Sequence, residues 1–358
     1  MNRFLSKRRA SLVSYVPGEQ PKDRRYIKLN TNESPYPPSA KAIENAAEAA
    51  KKLMLYPDPE YTALREAIGE TYSVGPECVT VGNGSDEILN FAFAAFCGEG
   101  ERPAVFPDVT YGFYPIFAKQ NGVPFVTVPL NDDFSLPADM TEGDGCVFFI
   151  ANPNAPTGVF TPVGKIRDAA LRHPDSLYVI DEAYVDFGGE SCAGLTKELD
   201  NVLVTGTFSK SRSMAGARLG FGIGCPGLIK CLDLIRNSIN PYNVSMMTAA
   251  AGIGSLSDPG YTAENCRKII KSRERLTSEM RKAGFYVTDS LGNFVFAKHP
   301  HIPGAEIYST LRDRGILVRH FDGKRIGDYN RITVGSEEEV SALIEALNVI
   351  IREKGLEK

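Results

Sequence analysis

No apolar stretch of this 358-residue chain approaches the length of a bilayer span, which argues against a helical membrane protein. No basic run longer than Lys7-Arg8-Arg9 is present either. The 40 basic and 44 acidic side chains leave a net charge of −4, the wrong sign for a nucleic-acid surface. The four histidines lack metal-ligand spacing. The cysteines, Cys78, Cys97, Cys146, Cys192, Cys225, Cys231 and Cys266, are odd in number, scattered, and form no C-x-x-C pair. That pattern reads as buried free thiols in a reducing, cytoplasmic setting, with no zinc and no disulfide framework. Residues 1–10 are basic (Arg3, Lys7, Arg8, Arg9) without an apolar core behind them, so they read as a solvated arm and not a secretory leader. The glycines of Gly220-Phe221-Gly222-Ile223-Gly224 lie on an apolar run and lack the continuation of a dinucleotide fingerprint. No phosphate-binding loop precedes Lys210. Repeats and low-complexity tracts are absent, and the composition is that of an ordinary soluble protein.

What is present is an alternation. Asn30–Pro38 (NTNESPYPP) is too rich in proline for helix or central strand and reads as an extended loop crossing a surface. Helices are expected over 40–55, ended by Tyr56-Pro57-Asp58-Pro59, and over 62–72. Short apolar runs then recur at 78–81, 104–106, 125–128, 147–150, 177–180, 202–204 and 219–223, separated by helix-length or loop segments, clearest as helices at 88–97 and 163–172. Seven such runs predict an α/β fold with a mostly parallel sheet covered on both faces. Past Pro241 the pattern changes to a long charged helix over 261–283, with Gly284 as its C-cap, and short strands at 286–287, 294–297, 317–319 and 331–334. The expected division is a large domain, 48–241, and a smaller α+β unit from 1–47 and 242–358.

Ligands of such sheets bind beyond the strand C-termini. Four polar segments fall there. Thr205-Gly206-Thr207-Phe208-Ser209-Lys210 follows a buried strand, where a desolvated lysine amine becomes a nucleophile toward a carbonyl. Ser209 and Arg218 offer a hydroxyl and a fixed cation to a neighbouring phosphate. Gly82-Asn83-Gly84-Ser85-Asp86-Glu87 joins a strand to a helix whose free N–H groups suit an anion, although a plain Ser/Asp N-cap explains the same residues. Asp181 ends an apolar strand, and a buried carboxylate needs a partner such as a protonated pyridine nitrogen, unless it merely caps a turn. Tyr184 is placed to donate to a ring oxygen. Asn152-Pro153-Asn154-Ala155-Pro156-Thr157-Gly158 is a rigid loop, and Tyr111 an aromatic suited to stacking on a flat ring. Each segment has a bland alternative. Jointly they describe a site for a planar pyridine bearing an aldehyde, a phenolic oxygen and a phosphate, which is pyridoxal phosphate.

At this point the chain resembles the fold-type I pyridoxal-phosphate aminotransferases, and within them the histidinol-phosphate aminotransferase branch. The likeness covers essentially the whole length through NTNESP (30–35), YPDPEY (56–61), VGNGSDEIL (81–89), 106–114, 152–158, DEAYVDF (181–187), 207–210, GILVRHF (315–321) and RITVG (331–335). It implies transamination between glutamate and imidazole acetol phosphate in histidine biosynthesis. An aromatic or broad-range aminotransferase and a phosphothreonine decarboxylase share the motifs and stay as alternatives. A cofactor-sensing regulator on the same fold would need a DNA-binding headpiece, for which the first 38 residues are too short. The resemblance assigns Lys210 as the Schiff-base lysine, Asp181 as partner of the ring nitrogen and Tyr184 as donor to the ring oxygen. Tyr111 resembles the stacking ring. Gly84, Ser85, Asp86, Thr207, Ser209 and Arg218 are similar to the phosphate cup. Tyr56 resembles the tyrosine that reaches the other subunit's phosphate, implying a homodimer. Arg331 and Arg319 resemble anion-binding arginines for substrate, and Tyr15 an N-terminal tyrosine that closes over it. Two departures stand out. The position before Pro-Thr-Gly is Ala155 where the family usually has asparagine, and Ser211-Arg212-Ser213-Met214 replaces a more apolar stretch.

Overall fold

The computed structural model describes every residue except 1, 2, 7, 8, 10, 11, 99, 101, 357 and 358. Strand β1 (Ile27–Lys28) is followed by α1 (Ala40–Ala50) and α2 (Thr62–Tyr72). Alternation then sets in: β2 (Val79–Gly82), α3 (Ser85–Phe96), β3 (Ala104–Pro107), α4 (Tyr114–Asn121), β4 (Phe125–Val128), β5 (Val147–Ala151), α5 (Val163–Arg172), β6 (Leu177–Asp181), β7 (Val202–Thr207), β8 (Gly220–Ile223) and α6 (Pro226–Ile239). Helices α7 (Met246–Leu256) and α8 (Pro259–Lys282) lead to β9 (Tyr286–Val287), β10 (Phe294–Lys298), α9 (Gly304–Asp313), β11 (Ile316–Leu317), β12 (Arg319–His320), β13 (Asn330–Thr333) and α10 (Glu337–Glu353).

The seven expected apolar runs form one sheet in the order β2-β8-β7-β6-β5-β3-β4. The five strands from β7 to β4 are parallel, and β8 is antiparallel to both its neighbours. The runs are apolar throughout because successive side chains serve opposite faces. In β5, Phe148 and Ile150 join the core beneath α2, α5 and α7, whereas Val147, Phe149 and Ala151 join the core beneath α3, α4 and α6. Phe93 of α3 stacks on Phe149 with ring centroids 3.8 Å apart.

A second core lies between α8, α9, α10 and the antiparallel sheet β12-β13-β10-β9. The N-terminal segment packs with this unit, as expected: β1 pairs with β11 in parallel. Its continuation differs from expectation. Asn30 and Asn32 are buried, so the start of the loop enters the interior, while the remainder stays half-buried to exposed where all of it was expected to cross a surface. The passage is possible because its polar groups are met by Asn293, Arg331 and Thr333.

Other differences have local causes. The first helix ends at Ala50, not Leu55, because Leu53, Met54 and Leu55 find no apolar face within the chain and stay exposed. The run 317–319 is split at Val318, since its two halves pair with different strands, β1 and β13. Helices α1 and α7 pack on one another, and Ala42 and Ala251 belong to the core of the large sheet. Gly284 follows α8 at φ 89°, the left-handed residue that closes the helix. Of the basic arm, Lys7 and Arg8 lie outside the described residues, while Arg9 is docked on the Gln120 carbonyl at 2.6 Å. Cys192 and Cys266 are buried, but Cys231 is exposed on α6.

Candidate active site

Beyond the C-terminal ends of β5, β6 and β7 lies a cavity of about 270 Å³. Ser85, Asp86, Tyr111, Asp181, Tyr184, Thr207, Ser209, Lys210 and Arg218 all line it. Parallel pairing of β6 with β7 sets Asp181 opposite Thr205, so the loop after β7 brings Lys210 to the same opening. Lys210 Nζ donates to the Thr31 carbonyl at 3.2 Å and lies 5.7 Å from the Tyr184 ring centroid.

Asp181 forms the back wall. Its carboxylate accepts the Tyr114 hydroxyl at 3.2 Å and the Ala183 N–H at 3.3 Å, and no cation pairs with it among the described residues. Burial, and then the charge of Asp86, push its pKa up from 3.8 to about 7. A carboxylate held this way favours a cationic partner, and a protonated ring nitrogen supplies one.

The opposite end is a cradle for an anion. Helix α3 begins after Gly84 with no side-chain cap, which disposes of the plain N-cap alternative and leaves first-turn N–H groups to a ligand. Gly84 has φ 82°, and a Cβ there would collide with the Arg218 guanidinium. Arg218 reaches Ser209 Oγ at 3.5 Å and Asp86 at 3.3 Å, and Thr207 Oγ1 donates to Ser209 Oγ at 2.9 Å. Asp86 also accepts the Tyr111 hydroxyl at 2.6 Å, fixing that ring at the cavity wall. A carboxylate at one end, hydroxyls with a guanidinium and a bare helix terminus at the other, and an amine between them fit a pyridine ring, a phosphate and an aldehyde. The residues present therefore suit pyridoxal phosphate.

The three expected substrate residues line a second cavity, which shares Tyr111 and Ala155 with the first. Arg331 donates to the Asn30 carbonyl at 3.0 Å, and among the described residues its buried Nε has no hydrogen-bond partner. Arg319 holds the carbonyls of Val16 and Pro17 at 2.8 and 3.1 Å. Tyr15 packs on Phe113 at 4.3 Å, so the N-terminal arm forms one wall. Tyr56 is the expected residue that the chain does not bring in. It is 78% exposed and stacks on Tyr242 at 4.6 Å. Asn154 faces away from the first cavity, with its amide spent on Val109, Thr110 and Thr157.

Sequence reading missed Thr31 and Glu33 in the cavity wall, Tyr114 behind Asp181, and Asn32 on the Tyr184 hydroxyl. Tyr114 had a faint signal, being one helical turn from Tyr111. The others sit in a proline-rich loop without periodicity, where nothing local marks which side chain turns inward.

Residues 24–347 match the aminotransferase class I and II family. The chain is 46% identical over 351 residues to histidinol-phosphate aminotransferase 1 of Bradyrhizobium diazoefficiens, covering 98% of this chain and 100% of that one. It is likewise 46% identical to the histidinol-phosphate aminotransferase of Chromohalobacter salexigens, with 98% and 100% covered. Among solved structures, histidinol-phosphate aminotransferase from Sinorhizobium meliloti in complex with pyridoxal-5′-phosphate superposes with a TM-score of 0.87 at 26% identity, covering 99% of each chain.

Proposed function

We infer, for a chain that belongs to the aminotransferase class I and II family and to its histidinol-phosphate aminotransferases, that it moves the amino group of glutamate to imidazole acetol phosphate, giving 2-oxoglutarate and histidinol phosphate. Its cofactor is pyridoxal 5′-phosphate, which when bound delocalises the electron pair left on the substrate's Cα. Lys210 Nζ is the base that takes the Cα proton and returns it to the cofactor side. Asp181 holds the ring-nitrogen proton, and its buried carboxylate keeps that proton from water. Tyr184 donates to the ring oxygen. Ser85, Thr207, Ser209 and Arg218 grip the phosphate with the α3 terminus, and Tyr111 bounds the ring. Arg331 and Arg319 receive a carboxylate in one half-reaction and a phosphate in the other, since a guanidinium fork pairs with either anion. Tyr15 closes the pocket from the arm.

The enzyme acts as a cytoplasmic homodimer in which Tyr56 serves the neighbouring subunit's phosphate. The exposed Leu53–Tyr56 segment supports that reading. The division into a cofactor domain, 48–241, and a unit of 1–47 with 242–358 belongs to the same proposal, with α1 and α7 riding on the sheet side.

One observation carries the reading: Lys210 and Asp181 line one cavity, and among the described residues no cation pairs with the carboxylate. Lys210→Ala should lose the visible band of the bound cofactor and at least about a hundredfold in turnover. Multiple turnover near the wild-type rate would refute the assignment. A half-reaction panel with histidinol phosphate, phosphothreonine and phenylalanine tests the substrate. Fastest conversion of histidinol phosphate is expected; preference for either of the others selects the decarboxylase or the aromatic enzyme instead.

A further inference from the structure

The Tyr184 hydroxyl is bonded to a group that no motif indicated. Asn32 Nδ2 donates to it at 3.0 Å. Asn32 is 1% exposed and sits at φ 54°, a backbone region that favours glycine and asparagine. Its amide is not free to turn. The Asn32 N–H donates to Thr333 Oγ1 at 2.9 Å, and that hydroxyl gives its single proton to Asn32 Oδ1 at 3.0 Å. With Oδ1 engaged, Nδ2 is the atom left to face Tyr184. Asn293 Nδ2 holds the Asn32 carbonyl at 3.0 Å, so the residue is pinned at three points.

A phenol has one proton to give. The side-chain Nδ2–H of Asn32 occupies the acceptor side of the oxygen, so the Tyr184 proton must leave in another direction. Among the described residues, no protein group accepts it. Tyr184 and Ala155 line the same cavity. Ala155 stands where the resemblance expects an asparagine donor and offers a methyl group, while the Asn154 amide is committed elsewhere.

We propose that Asn32 is a positioning residue: it fixes the Tyr184 hydroxyl as a donor to the cofactor's ring oxygen, so that Tyr184 does alone what a tyrosine and an asparagine would share. The inference rests on the assignment of Lys210 and Tyr184 to pyridoxal phosphate. A donor on that oxygen stabilises the anionic form it carries once the bound chromophore has lost its proton. Losing the donor therefore raises the pH midpoint of the cofactor's visible band.

The test is a spectrophotometric pH titration of the holoenzyme and four variants. Asn32→Asp is nearly isosteric but presents only acceptors, so it captures the Tyr184 proton. Its midpoint should rise as far as that of Tyr184→Phe, on the order of one unit, a tenfold change in proton affinity. Asn32→Gly keeps the left-handed backbone and its hydrogen bonds, leaves the hydroxyl free to rotate, and should give a smaller rise. Adding Ala155→Asn to Asn32→Asp supplies a donor directly and should bring the midpoint back toward wild type. A merely structural Asn32 would alter melting without moving the midpoint. An Asn32→Asp midpoint at the wild-type value while Tyr184→Phe moves, or no recovery with Ala155→Asn, overturns the proposal. If Asn32→Asp does not fold, an unmoved Asn32→Gly midpoint overturns it equally. A wild-type protein that forms no visible band with pyridoxal phosphate defeats the underlying assignment and this inference with it. A band indifferent to Asn32 defeats the inference alone.

Discussion

Asp181 shows at the level of a single side chain how burial creates a demand that a ligand meets. Its carboxyl is displaced from 3.8 to about 7 by burial and by Asp86. Between those values the folded, cofactor-free protein holds a proton that the unfolded chain has released. Stability therefore falls as pH climbs from about 4 to about 7 and levels off above that. Glu182, buried and also raised to about 7, adds a parallel decline. Asp181→Asn cannot ionise, so the melting temperature of its cofactor-free form should fall less steeply over that window. Superimposable pH profiles for the two proteins would count against a buried, ionising Asp181. In the proposed assignment pyridoxal phosphate would bring a ring-nitrogen proton to the same carboxylate and favour its charge, so it should raise the wild-type melting temperature at pH 7 more than the variant's. Asp181 was legible in the sequence because it ends an apolar run, and Lys210 and Tyr184 because they follow shortly after the ends of apolar runs. Asn32 and Thr31 were not, because their roles depend on which carbonyl and which hydroxyl a folded loop places beside them.

Among the elements, the junction of α3 with β8 decides the phosphate cradle. A Cβ on Gly220 would fall well inside contact distance of the Ser85 backbone nitrogen. Strand and helix start approach so closely only because that position lacks a side chain. Gly220→Ala should destabilise the protein by about 1–3 kcal/mol through the forced backbone shift. It should also weaken phosphate affinity, readable as a raised dissociation constant for pyridoxal phosphate. Unchanged melting and unchanged affinity would show that the junction tolerates the displacement. The inner strands were legible because burial on both faces makes them largely apolar, while the edge strand β4 is half-buried to exposed. The direction of β8 was not, because an antiparallel strand buried on both faces has the same composition as a parallel one. The early end of α1 was equally hidden: Leu53, Met54 and Leu55 are good helix residues, yet they lie beyond the helix with their side chains exposed.

At the scale of the whole molecule, Leu53, Met54, Leu55 and Tyr56 lie exposed together, with Tyr56 stacked on Tyr242. A run of large apolar side chains left in water marks an interaction surface. In the proposed dimer, Leu55→Asp should place a charge in the interface. It should shift the protein from dimer to monomer in sedimentation, and cofactor retention should fall with it, because Tyr56 would no longer reach a neighbouring site. A Leu55→Asp protein that still sediments as a dimer would place the interface elsewhere.

The sequence by itself determined the layered α/β architecture and the polar segments that fall at the strand ends. Hydrophobic period, helix signals and isolated polar residues at strand ends are local properties, carried by neighbours along the chain. Tertiary structure alone decided how the N-terminal loop enters the interior, which residues hold Lys210 and Tyr184, and that Arg331, Arg319 and Tyr15 share a wall beside Ala155. Those contacts join residues some 150 to 300 positions apart. No local pattern records them, because they exist only once two cores have closed on the same loop.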